Sequence, residues 1–349
     1  MARLSVHEFL TQAKQLPVLD VRSPAEYQAG HVPGAHNLPL FTNEERAQVG
    51  TLYKQTGRHE AFLRGLDLVG PKMRSMVEAA YELAVENKVL VHCWRGGMRS
   101  ESVAWLLTTS GLHANTLEGG YKAYRGATLK IYQNPLPIMM VGGATGSGKT
   151  EILKKLKQQG EQVIDLEKLA NHRGSAFGGI GQQVQPTSEQ FQNNLFAVWQ
   201  SLDLSRTIWV EDESFSIGGV QLPHEFWEHM KQAPVVVVKV PHPLRVQRLV
   251  QDYGHLNPVK LAQAIQTIER RLGGLRTQQA LRALEEERLA DVADLLLKYY
   301  DRSYQRNLER KPGCLRHVLE CLTDDPPTNA RLIREFANKN KLQPNLTPS

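Results

Sequence analysis

The sequence predicts an α/β protein with two parallel-sheet domains and a helical C-terminal extension. Three observations predict this fold. Apolar runs alternate with helical periodicity in the first third of the chain, a second strand and helix series starts near residue 138, and from residue 258 onward the pattern is helical. The chain has 349 residues, 41% hydrophobic and 22% charged, which is enough for a core in each domain.

In the first domain, apolar runs at residues 16–21 and 88–92 predict buried strands. Helical spacing of apolar residues predicts helices at residues 77–86 and 101–109. The proline-containing segment 133–137 breaks this pattern just before a new strand, so we place the domain boundary there. The first domain is therefore expected to span residues 1–133.

The second domain is predicted from four strand candidates that are far enough apart for crossover helices. These strands are residues 138–141, 162–165, 207–211 and 235–240. A helix is expected at residues 151–158, directly after the first of them. We expect a parallel-sheet domain over residues 134–255, followed by a helical, basic region over residues 256–349.

Composition narrows the possible classes of protein. The longest apolar run is shorter than the roughly 20 residues that span a bilayer, and the first residues lack an apolar signal core, so we expect a cytoplasmic protein without a membrane partner. The three cysteines, Cys93, Cys314 and Cys321, give neither a disulfide framework nor paired zinc-site spacing. Cys314 and Cys321 are interpreted as small buried hydrophobic residues.

Cys93 opens a basic, glycine-containing turn directly after the strand at residues 88–92. A helix starting near Ser100 would aim backbone N–H groups at the sulfur, a setting that favours a thiolate nucleophile. The spacing Cys-x5-Arg is that of cysteine phosphatases and predicts a wide turn. Arg95 and Arg99 could then bind a tetrahedral oxyanion through paired donors.

A second anion-binding turn lies at residues 143–150, where the pattern Gly-x4-Gly-Lys-Thr follows a strand and precedes a helix. This context predicts polyphosphate binding, with ATP, another nucleotide or a non-nucleotide diphosphate as the ligand. The expected phosphate-binding residues are Gly143, Gly146, Ser147, Gly148, Lys149 and Thr150. Thr150, Asp165 and Asp212 are the candidate ligands of Mg²⁺, if one is used.

Further polar residues follow later strands of this domain. His172, Arg173 and Ser175 lie on a predicted loop after the strand at residues 162–165 and suit contact with phosphate or a base. Arg245 and Arg248 lie one helical turn apart and are expected to close over phosphates as a lid.

The first domain resembles the rhodanese family. The resemblance rests on residues 20–23, 26–27 and 30–35, on Cys93 at the position of the family's sulfur-carrying cysteine, and on the closing motif at residues 117–121. It implies a rhodanese-like fold in which Cys93 carries sulfur or selenium.

The combination with a phosphate-loop domain resembles the tRNA 2-selenouridine synthase family, through the motifs at residues 93–100, 142–150, 165–175 and 211–214. The resemblance implies that sulfur of wobble 2-thiouridine in tRNA is replaced by selenium from selenophosphate. Geranyl diphosphate, held by the phosphate loop, would first alkylate the sulfur, and Cys93 would carry the selenium. A selenophosphate-producing enzyme is then an expected partner. The alternatives are an ATP-dependent rhodanese-type sulfurtransferase, a Cys-x5-Arg phosphatase, and a non-enzymatic RNA-binding protein.

A surface for tRNA is expected in the C-terminal third. Residues 241–349 contain 18 basic and 13 acidic residues. The candidate phosphate contacts are Arg270, Arg271, Arg302, Arg306 and Arg310. The alternative is a solvated face whose arginines pair with the acidic residues 285–287. Trp94 is a candidate for stacking on the extruded base, or for core packing.

Overall fold

The computed structural model describes residues 1–309 and 315–342, with side chains described up to residue 306 and again from residue 315. Arg310 and Cys314 therefore lie outside the described residues. The chain forms two compact units, Met1–Ile131 and Tyr132–Ser349. Each unit is described by itself below.

Unit 1 is built on a parallel sheet with the strand order β1-β5-β4-β2-β3. Because the strands run parallel, the loops that follow them gather at one edge of the sheet, and Cys93 directly follows the central strand. The strands are β1 Arg3–Leu4, β2 Val18–Asp20, β3 His36–Asn37, β4 Lys88–His92 and β5 His113–Leu117.

Seven α-helices surround this sheet, and three of them begin with a capping box. The side chains of Ser5, Ser23 and Thr42 each accept a hydrogen bond from the backbone N–H of a glutamate three residues later. The carboxylate of that glutamate accepts a hydrogen bond from the backbone N–H of the capping residue. The helices are α1 Val6–Gln12, α2 Pro24–Ala29, α3 Asn43–Gln55, α4 Arg58–Val69, α5 Met73–Leu83, α6 Met98–Thr109 and α7 Gly120–Lys130, with 3₁₀ turns at Gly70–Lys72 and Ile131–Gln133.

A buried ion pair lies behind the central strands of unit 1. The Arg22 Nη2 atom lies 2.6 Å from Asp20 Oδ2, and both side chains are fully buried. Arg22 also donates to the Gly30 carbonyl at 2.7 Å, and its guanidinium lies 3.8 Å from the centre of the Tyr121 ring. Burial opposes ionisation of Asp20, but the charges and hydrogen bonds of His92 and Arg22 hold its pKa below the usual value.

Unit 2 contains a second parallel sheet with the order β12-β11-β6-β8-β7 and a small antiparallel hairpin, β9-β10. The strands are β6 Ile138–Gly142, β7 Gln162–Ile164, β8 Ile208–Glu211, β9 Ser216–Ile217, β10 Val220–Gln221, β11 Val235–Lys239 and β12 Arg316–Glu320. The helical region expected after residue 255 also contains a strand, β12, that the sequence pattern did not predict. This strand is polar and only partly buried because it pairs with one neighbour at the edge of the sheet.

Ten α-helices of unit 2 are described. Helix α17 packs against α8 on one face of the sheet, while α13, α15 and α16 form a separate apolar cluster. The helices are α8 Lys149–Gln158, α9 Leu166–Ala170, α10 Ser188–Trp199, α11 His224–Gln232, α12 His242–Tyr253, α13 Pro258–Thr267, α14 Glu269–Leu272, α15 Gly274–Glu285, α16 Leu289–Glu309 and α17 Pro326–Lys339. Across the described residues, no helix is long and apolar enough to cross a membrane.

The buried pair in unit 1 predicts a large loss of stability in Asp20→Asn. This substitution leaves the Arg22 charge buried without its partner, which typically costs about 3–5 kcal/mol. Glu78→Gln is the matched control, because Glu78 pairs with Arg74 at the surface, where a pair contributes at most about 1 kcal/mol. Denaturant unfolding measures both changes. Equal effects of the two substitutions would contradict the structural importance of the buried pair.

Candidate active sites

Cys93 lies at the end of β4, where the chain leaves the sheet. Its side chain is 3% exposed and adjoins the apolar core of unit 1. The sulfur lies 3.2 Å from the Ser100 hydroxyl oxygen and 3.9 Å from the Gly97 carbonyl oxygen. The sulfur is thus covered by the turn that follows it, and its polar neighbours come from that turn and the start of α6.

The turn after Cys93 is fixed by contact with the end of β5 and the start of α7. Tyr121 and Lys122 donate backbone hydrogen bonds to the carbonyls of Cys93 and Trp94 at 2.8 and 2.9 Å. Gly96 has φ +65°, and a Cβ added there would lie 2.5 Å from the Leu117 carbonyl oxygen. Only glycine therefore fits this position without moving the backbone.

The same turn has unused hydrogen-bond donors. Within the described residues, the backbone N–H groups of Trp94, Arg95, Gly96 and Gly97 have no protein acceptor. Successive unpaired N–H groups in a turn form a concave site for an anion. The turn beside the buried sulfur thus has the donors that a charged group on Cys93 would need.

The two predicted arginines have different surroundings. Arg99 donates to Glu26 at 2.9 and 3.4 Å, and Arg46 lies 3.6 Å from the same carboxylate. Burial opposes ionisation of Glu26, but the Arg99 hydrogen bonds hold its pKa below the usual value. Arg95 is exposed and has no ion pair in the described part of the chain. Arg95 is therefore the guanidinium that is free to meet a ligand.

Trp94 contacts a column of aromatic and basic side chains. Its ring centre lies 5.7 Å from that of Tyr121, and the Arg22 guanidinium lies 5.8 Å away. The side chain is 37% exposed. Packing against Tyr121 thus fixes one part of the indole while another part reaches solvent.

The phosphate loop in unit 2 connects β6 to α8. Gly146 and Gly148 have φ +78° and +76°, which favours glycine at both positions. The Lys149 ammonium donates to the Gly143 carbonyl at 2.9 Å, so it lies over the loop. Among the described residues, no protein acceptor is found for the N–H groups of Gly146, Gly148 and Lys149. The loop therefore presents several donors together with one positive charge.

Three glutamates lie beside this loop. Thr150 donates its hydroxyl to Glu167 at 2.7 Å, and Leu166 donates its backbone N–H to Glu211 at 3.0 Å. Burial, followed by repulsion from neighbouring carboxylates, raises the pKa of Glu211 well above its usual value, and burial also raises that of Glu167. Burial and the Glu167 charge raise the pKa of Glu213 to about 7. These carboxylates therefore favour the protonated form more than exposed ones do.

The predicted magnesium ligands do not form a metal site by themselves. The Thr150 hydroxyl is hydrogen-bonded to Glu167. No group of three or more His, Cys, Asp or Glu side chains in residues 1–309 and 315–342 is arranged to hold a metal ion. Thr150, Asp165 and Asp212 thus stay predictions, and we derive no step that depends on Mg²⁺.

The loop with His172, Arg173 and Ser175 closes on itself. Arg173 donates its backbone N–H to Gly178 at 3.0 Å, and Gly178 donates to the Ser175 carbonyl at 2.8 Å. The Arg173 guanidinium lies 5.7 Å from the Tyr253 ring centre. Burial lowers the pKa of His172, which favours its neutral form. The structure therefore brings Arg173 and Ser175 to Tyr253, a contact that the sequence does not predict.

Both arginines that were expected to close over phosphates have protein partners in the structure, so their role as a lid stays a prediction. Arg245 donates to the Thr145 carbonyl at 2.8 Å and pairs with Asp301 at 2.5 Å. Arg248 pairs with Asp324 at 2.5 Å. Arg245 therefore braces the phosphate loop, and its long-range partner Asp301 gives no local sequence signal.

The basic residues of the C-terminal region lie at the surface. Arg270, Arg271, Arg302 and Arg306 are exposed and have no ion pair within the described residues. Glu286 is one of the acidic residues 285–287 that were expected, in the alternative interpretation, to pair with these arginines. It instead forms ion pairs with Arg282 and Arg288. The four described arginines are thus available to a polyanion.

The fold and motifs together define a rhodanese-like domain joined to a phosphate-loop domain. The family model for the rhodanese-like domain matches residues 5–127. A second model, described as the tRNA 2-selenouridine synthase AAA domain, matches residues 136–318. A rhodanese-related protein of known structure from Thermoplasma volcanium is 18% identical, with a TM-score of 0.24, over 36% of this chain and 93% of that chain.

Curated relatives identify the particular family. The tRNA 2-selenouridine synthase of Bdellovibrio bacteriovorus is 36% identical over 85% of this chain and 90% of its own length. That of Bordetella petrii is 34% identical over 93% and 96%. The chain belongs to the tRNA 2-selenouridine synthase family and is an enzyme that acts on tRNA. Membership favours tRNA selenation over the phosphatase, sulfurtransferase and non-enzymatic alternatives.

The raised pKa of Glu213 predicts a pH-dependent stability. Between the usual carboxyl pKa and about 7, the folded protein holds a proton that the unfolded chain releases, so stability falls as pH rises through this range. In Glu213→Gln, the loss of unfolding free energy between pH 5 and pH 8 should be smaller by about 1–2 kcal/mol. Denaturant unfolding at both pH values measures this change in unfolding free energy. The exposed control Glu285→Gln should match the wild type, and an unchanged profile in Glu213→Gln would contradict the prediction.

Proposed function

We propose that the protein replaces sulfur by selenium in the wobble 2-thiouridine of tRNA, using selenophosphate and geranyl diphosphate. Family membership supports the overall reaction. The observation that carries the assignment of the reactive group is Cys93, which lies in a turn with four unpaired backbone N–H groups at the end of a central strand. We place the reaction in the cytoplasm, with selenophosphate made by a separate enzyme.

The first step alkylates the sulfur of 2-thiouridine. The sulfur attacks the carbon that bears the diphosphate, the new carbon–sulfur bond forms, and diphosphate leaves while the base loses its N3 proton. The Lys149 ammonium and the N–H groups of Gly146 and Gly148 are suited to stabilise the charge of the departing diphosphate. Alkylation also makes sulfur a better leaving group from C2, which prepares the second step.

The second step passes selenium through Cys93. The phosphorus–selenium bond of selenophosphate breaks as water adds to phosphorus, and selenium joins the cysteine sulfur. Selenium bound to sulfur is two electrons more oxidised than in selenophosphate, so a disulfide must accept those electrons. The bound selenium then attacks C2 and expels geranyl thiol. A thiol then attacks the Cys93 sulfur and releases the selenium as 2-selenouridine, and a second thiol frees Cys93 by forming a disulfide, which returns the two electrons.

The turn residues suit this carrier role. The N–H groups of residues 94–97 can stabilise an anion that extends from the sulfur. Exposed Arg95 can bind the phosphate part of selenophosphate, because its guanidinium offers paired donors. Arg99 donates a hydrogen bond to Glu26 and thereby stabilises the turn. Trp94 has exposed surface on which the extruded base can stack.

Substitution of the cysteine tests the carrier role. Cys93→Ser should abolish selenium labelling of the protein and reduce 2-selenouridine formation by at least about a thousandfold, since serine does not form the selenium adduct. Geranylation of tRNA should continue, because it depends on the other unit. Cys321→Ala is the matched control: Cys321 is buried, its pKa is raised to about 11, and it should be dispensable. Selenation by Cys93→Ser at the wild-type rate would show that Cys93 carries no selenium.

We propose that the exposed arginines form a stripe that contacts tRNA phosphates, comprising Arg270, Arg271, Arg302 and Arg306 in the described residues, with Arg310 predicted to extend it. The lack of ion pairs at the four described positions supports this role. Phosphate contacts release counterions from the nucleic acid, so the affinity should fall steeply with salt.

The double substitution Arg302→Gln, Arg306→Gln should weaken tRNA binding and make its logarithmic salt dependence shallower by about one unit for each lost contact. Binding is measured by filter retention over a salt series. Arg282→Gln is the control, because this exposed arginine is already paired with Glu286. An unchanged slope in the double variant would place the tRNA surface elsewhere.

A further inference from the structure

An apolar groove opens beside the phosphate loop in unit 2. It contains about 560 Å³ of empty space, counting the part open to solvent. Its walls come from α12, α13, α15 and α16 and from the loop that contains Ser175. Among the described residues that line it, none is charged. Its wall includes Phe177, Leu249, Leu261, Leu284, Ala293 and Leu296.

The groove borders the phosphate loop. Thr145 belongs to the loop and also lines the groove. A Cβ added to Gly146 would lie 3.4 Å from the side chain of Leu249, another wall residue. The Arg245 side chain holds this junction through its 2.8 Å bond to the Thr145 carbonyl. A ligand whose phosphates occupy the loop can therefore extend directly into apolar surroundings.

The wall contains few polar groups. Ser175 and the Tyr253 hydroxyl are close enough to interact with each other, and Arg173 lies beside the Tyr253 ring. The Tyr300 hydroxyl is buried near Ser175 without a well-aligned hydrogen bond in the described residues. A nucleobase and ribose would bring many donors and acceptors that find few partners here, at a cost in affinity. A hydrocarbon chain needs no hydrogen-bond partners.

We propose that this groove binds the prenyl tail of the diphosphate substrate and selects prenyl diphosphates over nucleotides at the phosphate loop. The inference rests on the proposed use of geranyl diphosphate and assigns its tail to a specific surface. Each buried carbon of the tail adds up to about fourfold in affinity. The phosphate loop recognises the charge of the diphosphate, and the groove distinguishes a prenyl tail from a nucleoside.

A ligand series on the wild-type protein without tRNA tests the groove. Calorimetry should rank geranyl diphosphate above dimethylallyl diphosphate, and dimethylallyl diphosphate above inorganic diphosphate. Geranyl diphosphate should bind at least about a hundredfold tighter than inorganic diphosphate. Equal affinities along the series, or tighter binding of ATP than of geranyl diphosphate, would overturn the proposal.

Two matched alanines on one helix locate the tail. Ala293 is buried and lines the groove, whereas Ala290 on the same helix α16 is exposed and does not line it. Ala293→Leu should weaken geranyl diphosphate binding at least about tenfold while leaving inorganic diphosphate binding unchanged. Ala290→Leu should change neither. Equal loss for both ligands in a folded Ala293→Leu protein, or no loss for either, would remove the tail from this groove.

These measurements separate the groove from the overall reaction. If the ligands bind in the predicted order of affinity but tRNA is not selenated, the assignment of the tail to the groove is supported and the proposed function is wrong. If tRNA is selenated through a geranylated intermediate but all the ligands bind with equal affinity, the proposed function is supported and the assignment of the tail to the groove is wrong. Should Ala293→Leu fail to fold, Leu284→Ala replaces it.

Leu284→Ala widens the groove, because Leu284 is a wall residue. It should raise the affinity for farnesyl diphosphate relative to that for geranyl diphosphate, and an unchanged ratio of the two affinities would contradict the proposal.

Discussion

A bound anion needs backbone N–H groups that the fold leaves without acceptors, and both candidate sites meet this constraint in the same way. In each unit a glycine-containing turn follows a buried parallel strand and leads into a helix. At Gly96 the close approach of the Leu117 carbonyl excludes a side chain. At the phosphate loop, Gly146 and Gly148 adopt left-handed conformations. These two turns therefore carry the unpaired N–H groups that are suited to bind anions.

The two turns are suited to different tasks because their surroundings differ. Cys93, the proposed nucleophile, is buried at the edge of an apolar core and is followed by a turn whose backbone N–H groups have no protein acceptor in the described residues. The phosphate loop has Lys149 above it and an uncharged groove beside it. One site suits a charged atom carried on sulfur, and the other suits a diphosphate with an apolar tail. The proposed alkylation followed by exchange would use both sites.

Local sequence patterns predict the features that depend on neighbouring residues. The apolar runs predict β4 and β6 within one residue at each end, and the motifs place Cys93 and Lys149 after those strands. Features that depend on distant residues were missed. Arg99 and Glu26 are separated by 73 positions, and the groove forms only when four helices pack together. The edge strand β12 also escaped prediction, since only one side of it pairs and its residues are largely polar.

Nucleoside analysis of tRNA tests the central claim that an alkylated base is the acceptor of selenium. Purified protein is incubated with 2-thiouridine-containing tRNA, selenophosphate, geranyl diphosphate and a thiol together with its disulfide, with each component left out in turn. We predict 2-selenouridine only in the complete mixture, and S-geranyl-2-thiouridine when selenophosphate is omitted. Formation of 2-selenouridine at the full rate without geranyl diphosphate would contradict it.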